Sequence, residues 1–333
     1  MAEIQYKDKH SPSVWFWFRL EEDKKGIFRN MGELRALVWT TTPWTIISNV
    51  ALAFHPDVEY LVIEFNGKNY LLAEPRFEEV KEHLGWESAR IKSNVLGREL
   101  EGLNFSHPFM KRTSLAILAD FVTMEEGTGI VHIAPGHGRE DFQVGRKYDL
   151  PALSPVDERG KFTEEAGREF QGLDIESASR KVVEVLKKKG NLILSEEIVH
   201  SYPHCWRCGS PLIFRATQQW FLSVDHENLR GRAIEALDKT NWIPPEGKER
   251  LSVSISERPD WVLSRQRGWG VNLPALYCKK CGNPILDPKV IRKVALVFKE
   301  GSSDKWLTEP VESFLPRDFK CPKCGGACLF YTS

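Results

Sequence analysis

Between residues 34 and 200 the chain alternates short runs of β-branched and aliphatic residues with turn signals, the pattern of a β-rich fold with a few helices. Residues 34–42 form one such run, closed by Pro43. EYLVIEFNGKNYLLAE holds two alternating runs around Asn66-Gly67, a pair favoured in tight hairpins because both positions tolerate φ > 0. PRFEEVKEHLG predicts a helix that opens on Pro75 and stops at Gly85. Two further strands are expected, around residues 89–103 and 114–120. In GTGIVHIAPGHGREDFQVGRKYDL a strand ends in a glycine loop and feeds a helix. SASRKVVEVLKKKG predicts a second helix, with Ser177 as its cap, Val182, Val183 and Leu186 on its inner face and Gly190 past its end. NLILSEEIVHSYPHC follows as extended chain.

After residue 200 the composition shifts, and SYPHCWRCGSPLIFRATQQWFLSVD is rich in aromatics, cysteine and proline. Residues 225–238 read as a helix, NWIPPEGKERLSV carries a Pro-Pro break, and DPKVIRKVALVFK supplies another helix. The expected division is a first domain over 1–200, a connecting segment over 201–272 and a cysteine-bounded module over 273–333. A chain of 333 residues, 41% of them hydrophobic, suits two or three such units.

Charge changes the picture in one respect. Lys+Arg and Asp+Glu are both 46, so the chain lacks the basic footprint of a protein that grips nucleic acid unaided, and any RNA contact is expected to be local or shared. No apolar run approaches the roughly 20 residues of a membrane span, and the first residues, MAEIQYKDKHSPS, contain no signal-peptide core. A cytoplasmic, monomeric chain with no membrane partner is expected.

Six of the seven cysteines fall in three Cys-x-x-Cys pairs, which in a reducing compartment favour metal over disulfides. CKKCG and CPKCG place Cys278, Cys281, Cys321 and Cys324 as two knuckles, each with a glycine behind it for the tight turn. Four thiolates give closed tetrahedral coordination, the habit of structural Zn2+. Cys205 and Cys208 form a third knuckle without a fourth, a half-site whose complement is expected outside this chain; Cys328 alone cannot complete it.

The polar residues that invite chemistry lie in two stretches. VWTTTPWT ends a strand in Thr40, Thr41 and Thr42, where aliphatics would suit a plain core strand, although β-branched threonines also favour strands for no further reason. In GIVHIAP the period of two sets Val131 and Ile133 on one face and His132 on the other, where it lines a cavity or meets solvent. Asp141 falls in the first turn of the following helix, where a carboxylate also suits the helix end. His132, His137 and Asp141 as metal ligands would need a spacing more regular than this glycine loop provides.

Taken in order, WTTTPWT with Asn49 and HPDVEY, GTGIVHIAPGHGREDF, SYPHCWRCGSPLIFRATQQWF and ERPDWVLSRQRGWGV resemble isoleucyl-tRNA synthetase over nearly the whole chain. The related valyl and leucyl enzymes show a Thr-Thr-Arg-Pro stretch where Thr41-Thr42-Pro43-Trp44 stands here. Neither a His-Ile-Gly-His type nor a Lys-Met-Ser-Lys-Ser type motif is present, so the resemblance implies the editing insertion without the ATP-binding core, and no synthetic activity. LSRQRGWG resembles the return toward that core. The first residues look like a cut inside a longer protein, downstream of a Cys-x-x-Cys knuckle whose loss would orphan Cys205 and Cys208.

The implied fold is α+β and β-rich: an editing β-barrel with peripheral helices, plus a small zinc-ribbon-like module. The implied activity is hydrolysis of mischarged valyl-tRNA(Ile). One methylene gives only about 1 to 3 kcal/mol of discrimination, a limit for which isoleucyl-tRNA synthetase is itself the established example. By the same resemblance Asp141 anchors the substrate ammonium, and Thr40, Thr41 and Thr42, with Asn49, bind the tRNA 3′ adenosine, the ester or the attacking water. Trp44 and His132 shape a pocket that takes the valine moiety. The rest of the synthetase is the implied partner. Two alternatives stand: a non-catalytic zinc-ribbon module that docks tRNA, and an editing domain of valyl or leucyl type.

Overall fold

The computed structural model describes residues 4–29, 31–264, 273–326 and the backbone of 329–331. The chain falls into two compact units, residues 1–217 and 218–333.

Ten strands build one mixed sheet in the first unit: β1 (Ile4–Glu22), β2 (Leu34–Thr40), β3 (Ala51–Phe54), β4 (Glu59–Phe65), β5 (Lys68–Ala73), β6 (Arg90–Leu96), β7 (Asn104–Ser106), β8 (Thr113–Leu118), β9 (Ile130–Ile133) and β10 (Leu192–Cys205). Across the sheet the order is β6-β4-β5-β2-β1-β7-β8-β3-β9, and β10 pairs with β1. β2 with β5 and β3 with β8 are parallel pairs; the other neighbours run antiparallel. β9 returns to lie near β2, so the sheet curls over on itself.

Both faces of the central strands are covered, and the period of two divides their side chains between two cores. Val14, Phe16 and Phe18 of β1 and Ala36 and Val38 of β2 enter the larger one. Trp15 and Leu37, one residue out of phase, pack with Leu72, Phe77 and Trp86 on the other side. Four helices accompany the sheet: α1 (Phe77–His83), α2 (Gly97–Leu100), α3 (Arg139–Lys147) and α4 (Ile175–Lys189). α4 inserts Ala178, Val182 and Leu186 into the larger core and ends on Gly190 in the left-handed region.

The hairpin at Asn66-Gly67 forms as its sequence predicts: both residues have positive φ and Phe65 pairs with Lys68. Three expectations are corrected. The strand expected around 89–103 ends at Leu96, where α2 begins. The 34–42 run stops as a strand at Thr40, because Pro43 fixes φ and begins a 3-10 helix over Pro43–Ser48. The cap of α4 is Asp174, whose carboxylate accepts the Ser177 N–H at 2.8 Å; Ser177 is the residue capped. The length of β1 is not apparent from its pattern, since its first residues pair with β10 alone and stay largely exposed.

The second unit begins with a two-stranded pair, β11 (Phe221–Leu222) and β12 (Trp261–Val262), beside α5 (Leu229–Asp238) and α6 (Glu246–Ser256). Its cysteine module has a three-stranded sheet, β13 (Leu276–Cys278), β14 (Pro284–Ile285) and β15 (Leu329–Tyr331). With α7 (Pro288–Lys299) and α8 (Lys305–Thr308) it encloses a core of Leu276, Ile285, Val290, Val294, Trp306 and Phe314. Residues 265–272, most of the LSRQRGWG stretch, and Cys328 lie outside the described residues. No helix among the described residues is long and apolar enough to cross a membrane.

Candidate active site and candidate metal centre

The end of β2 and the 3-10 helix after it bring hydroxyls onto one side. A 3-10 helix has three residues per turn, so side chains three apart are eclipsed, and Thr42, Thr45 and Ser48 follow that spacing. Thr40 Oγ1 lies 3.3 Å from Thr42 Oγ1 and accepts the Thr42 N–H at 3.2 Å. Thr42 Oγ1 lies 3.4 Å from Thr45 Oγ1. Thr45 Oγ1 donates to the Thr42 carbonyl at 2.8 Å and lies 3.1 Å from His132 Nε2. Thr40 and Thr45 are buried, while Thr41 and Thr42 are half-buried at the open end of the group.

His132 stands on β9 opposite Leu52. Because the Thr45 hydroxyl gives its proton to a carbonyl, His132 Nε2 carries a hydrogen and donates to it, which leaves Nδ1 as a bare acceptor. That Nδ1 is buried with no hydrogen-bond partner among the described residues. Burial, reinforced by the neighbouring His137, lowers the His132 pKa to about 4, so the ring is neutral at pH 7. A buried acceptor without a donor costs roughly 1–3 kcal/mol, and the fold keeps this one in place.

The glycine loop after β9 holds a second buried imidazole. His137 Nδ1 donates to the Phe214 carbonyl at 3.0 Å, and Nε2 accepts from Ser48 Oγ, also at 3.0 Å. Trp44 meets the ring at 4.7 Å between centroids, close to perpendicular. A serine bonded to an oriented histidine has the layout of an activated nucleophile. Ser48, however, is 0% exposed, so no substrate can reach it, and the pair ties the loop to the 3-10 helix.

Asp141 lies in the first turn of α3, behind Gly138. Its Oδ2 accepts the Ala134 N–H at 2.7 Å, two residues beyond His132. Desolvation raises the pKa of this carboxyl, and the Ala134 N–H works against the shift. A Cβ on Gly138 would stand 2.9 Å from the carboxyl carbon, so glycine there leaves the group its room.

Of the residues read from the sequence, Thr40, Thr42 and His132 therefore join one hydrogen-bonded chain, with Thr41 beside it. Trp44 packs on His137, which bonds Ser48 rather than that chain, and Asp141 borders the chain through Ala134. Asn49 is 0% exposed; its amide donates to the Ala51 carbonyl at 2.8 Å and accepts from Ser114 Oγ at 2.5 Å. Its side chain thus acts on the fold of the turn. Thr45 and Ser48 are not marked by the sequence reading, although the spacing of 42, 45 and 48 carries a signal once a 3-10 helix is recognised, and His137, weighed there only as a metal ligand, bonds Ser48 and the Phe214 carbonyl instead.

In the second unit, Cys278, Cys281, Cys321 and Cys324 bring their sulfurs within 4.8 Å of one another. Cys278 and Cys324 sulfurs are 3.5 Å apart, those of Cys281 and Cys321 3.7 Å. Bonds of about 2.3 Å to a tetrahedral zinc would set sulfurs roughly 3.8 Å apart, so the four fit a metal ion such as zinc. Cys205 is half-buried and Cys208 exposed. Among the described residues no group of three or more potential ligands includes them.

The model of the class I tRNA synthetases (I, L, M and V) matches residues 1–324. The chain belongs to this family. Within it, the chain is 47% identical over 326 residues to the isoleucine–tRNA ligase of Thermotoga neapolitana, covering 97% of this chain and 34% of that protein. The corresponding ligase of Fervidobacterium pennivorans is 48% identical over 324 residues, with 97% and 34% covered. That of Persephonella marina is 45% identical over 332 residues, with 98% and 35% covered. This synthetase chain spans about a third of the length of the curated relatives it matches. Among solved structures, GlLeuRS-CP1 aligns with 56% of this chain and 99% of its own, at TM-score 0.46 and 14% identity. The editing domain of the P. knowlesi cytosolic leucyl-tRNA synthetase aligns with 60% of this chain and 98% of its own, at TM-score 0.43 and 12% identity.

Proposed function

We propose that the first unit is an editing hydrolase that cleaves valine from valyl-tRNA(Ile). The observation that carries this reading is the chain of hydroxyls from half-buried Thr42 through Thr45 to His132, with the Asp141 carboxylate held on the Ala134 N–H two residues beyond His132. A bound aminoacyl ester supplies a cation for the carboxylate. Asp141 takes the substrate ammonium, which offsets the desolvation of its ionised form. Thr41 and Thr42, half-buried, meet the ester and the attacking water, and Thr40 and Thr45 hold them. Water attacks the ester carbonyl, the bond to the ribose oxygen breaks, a proton from the water passes to that oxygen to restore the ribose hydroxyl, and free valine leaves. Position supplies most of the acceleration, since the ester is already labile. His132, neutral and buried, is no proton donor at pH 7 and instead forms the wall that the longer isoleucine side chain meets. Asn49 contributes by holding the turn. The four-cysteine centre holds Zn2+ in a closed structural site. In the whole ligase the remaining domains share the tRNA.

The test follows release of amino acid from valyl-tRNA(Ile) and isoleucyl-tRNA(Ile) incubated with this chain. Selective release of valine is expected; release of neither, or of both at equal rates, overturns the reading. Asp141→Asn keeps an oxygen for the Ala134 N–H and removes the charge, so it should cut valine release at least about 100-fold (about 2.7 kcal/mol) with the melting temperature unchanged. A variant that still releases valine normally removes the ammonium anchor from the account.

A further inference from the structure

We infer that Arg112, with His107 and Ser114, forms a clamp that positions the threonine turn, and that hydrolysis depends on this clamp although none of the three belongs to the hydroxyl chain. Residues 107–112, which join β7 to β8, and Ser114 of β8 meet the end of the 3-10 helix with four hydrogen bonds. His107 Nε2 donates to the Ile46 carbonyl at 2.8 Å. Arg112 donates through Nε to the Asn49 carbonyl at 2.8 Å and through Nη2 to the Ile47 carbonyl. Ser114 Oγ donates to Asn49 Oδ1. Carbonyls at the end of a short helix run out of partners along the chain; here the guanidinium takes those of Ile47 and Asn49, and the imidazole adds a second donor to that of Ile46, which already accepts the Asn49 N–H. Ile46 and Ile47 stand between Thr45 and Ser48, the residues that bond His132 and His137. Fixing their carbonyls therefore fixes the direction of both hydroxyls.

The donors leave little freedom. His107 is 5% exposed, and its Nδ1 accepts the N–H groups of Phe109 and Met110 at 3.2 and 3.0 Å. With Nδ1 committed as an acceptor, Nε2 must carry the hydrogen, so the tautomer is set. Arg112 uses the planar fork of its guanidinium to reach two carbonyls at once, which a lysine ammonium on a flexible stem cannot reproduce. Nothing in the proposed chemistry uses these groups directly. They are positioning residues, and a displacement of about 1 Å in such a site can cost on the order of 100-fold in rate.

The dependence of rate rests on the hydrolytic reading; the dependence of turn rigidity does not, and the experiment separates them. In Arg112→Lys, hydrogen exchange is followed at the Thr45 and Asn49 amides, which bond the Thr42 and Ile46 carbonyls, and at amides of β4 and β5 as references. Exchange at the two turn amides should quicken at least about tenfold, with the references within about twofold. Valine release at saturating valyl-tRNA(Ile) should fall at least about tenfold, with the half-saturating concentration within about twofold. His107→Leu, which removes the bond to Ile46, should quicken the same two amides. Unchanged turn exchange in both variants overturns the clamp, as does a uniform loss of protection across the unit. Faster turn exchange with undiminished valine release overturns its role in positioning. If the unaltered chain releases no valine, the hydrolytic reading fails, while the exchange data still decide the clamp.

Discussion

His107 and His132 are held neutral inside the first unit, with pKa values lowered by desolvation to about 3 and about 4. For a histidine depressed in this way the unfolded chain takes up its proton first, near pH 6.5. Stability present at neutral pH is then lost as pH falls from about 6.5 toward the folded values. Each ring accounts for a loss on the order of a few kcal/mol across that window. Asp141 runs the other way: its raised pKa means that acid favours the folded state at this one group. Denaturant titrations at pH 7 and pH 4.5 should show a marked loss of stability in the first unit. His132→Gln, which has no proton to take up, should lose about 2 kcal/mol less over the same interval; an identical loss would show that His132 titrates normally. At this scale the threonine triplet, His132 and Asp141 could be picked out because their types are out of place in a core strand or sit at a helix start. The part played by Asn49 could not, since the same side chain serves a ligand or a backbone equally well and only its neighbours Ala51 and Ser114 decide.

Among the elements, the loop from Ala134 to Gly138 is closely constrained. Gly136 has no room for a side chain, because a Cβ there would lie 1.9 Å from the Leu153 carbonyl oxygen, and its own carbonyl accepts the Ala216 N–H at 2.8 Å. Gly136→Ala must push two stretches of backbone apart. A destabilisation of roughly 1–3 kcal/mol is expected, with loss of valine release exceeding what the lowered stability explains, because His137 and Asp141 flank the displaced segment. A melting curve and a release assay on the same sample check this, and unchanged values in both would show that the loop yields freely. That a glycine loop joins a strand to a helix here is evident from the residues; that it must be glycine at 136 is not, since the obstruction comes from residue 153. The Asn66-Gly67 hairpin and the helix ending at Gly190 are legible for the opposite reason, their determinants being local. The cap of α4 lies three residues before the one its sequence suggests, because Asp174 and Ser177 are both good caps and only the geometry of Asp174 selects between them.

At the scale of the molecule, the four-thiol centre and the threonine site lie in different units. If the four cysteines hold zinc and the first unit releases valine as proposed, a chelator should therefore lower one thermal transition, that of the cysteine module, and leave valine release within about twofold. Calorimetry with and without chelator, alongside the release assay, measures both; joint loss would show that the units fold as one. The cysteine spacing made this centre legible, since two knuckles of the same form leave few alternatives. The extent of the sheet was not legible, because it depends on pairing between positions almost two hundred residues apart. That pairing has a consequence for how such a module travels between proteins. With Ile4 facing Cys205 across β1 and β10, the first and last residues of the ten-stranded sheet are laced side by side, so the chain enters and leaves that sheet at neighbouring points. A host chain could accept it between adjoining residues of its own and continue its course almost undisturbed.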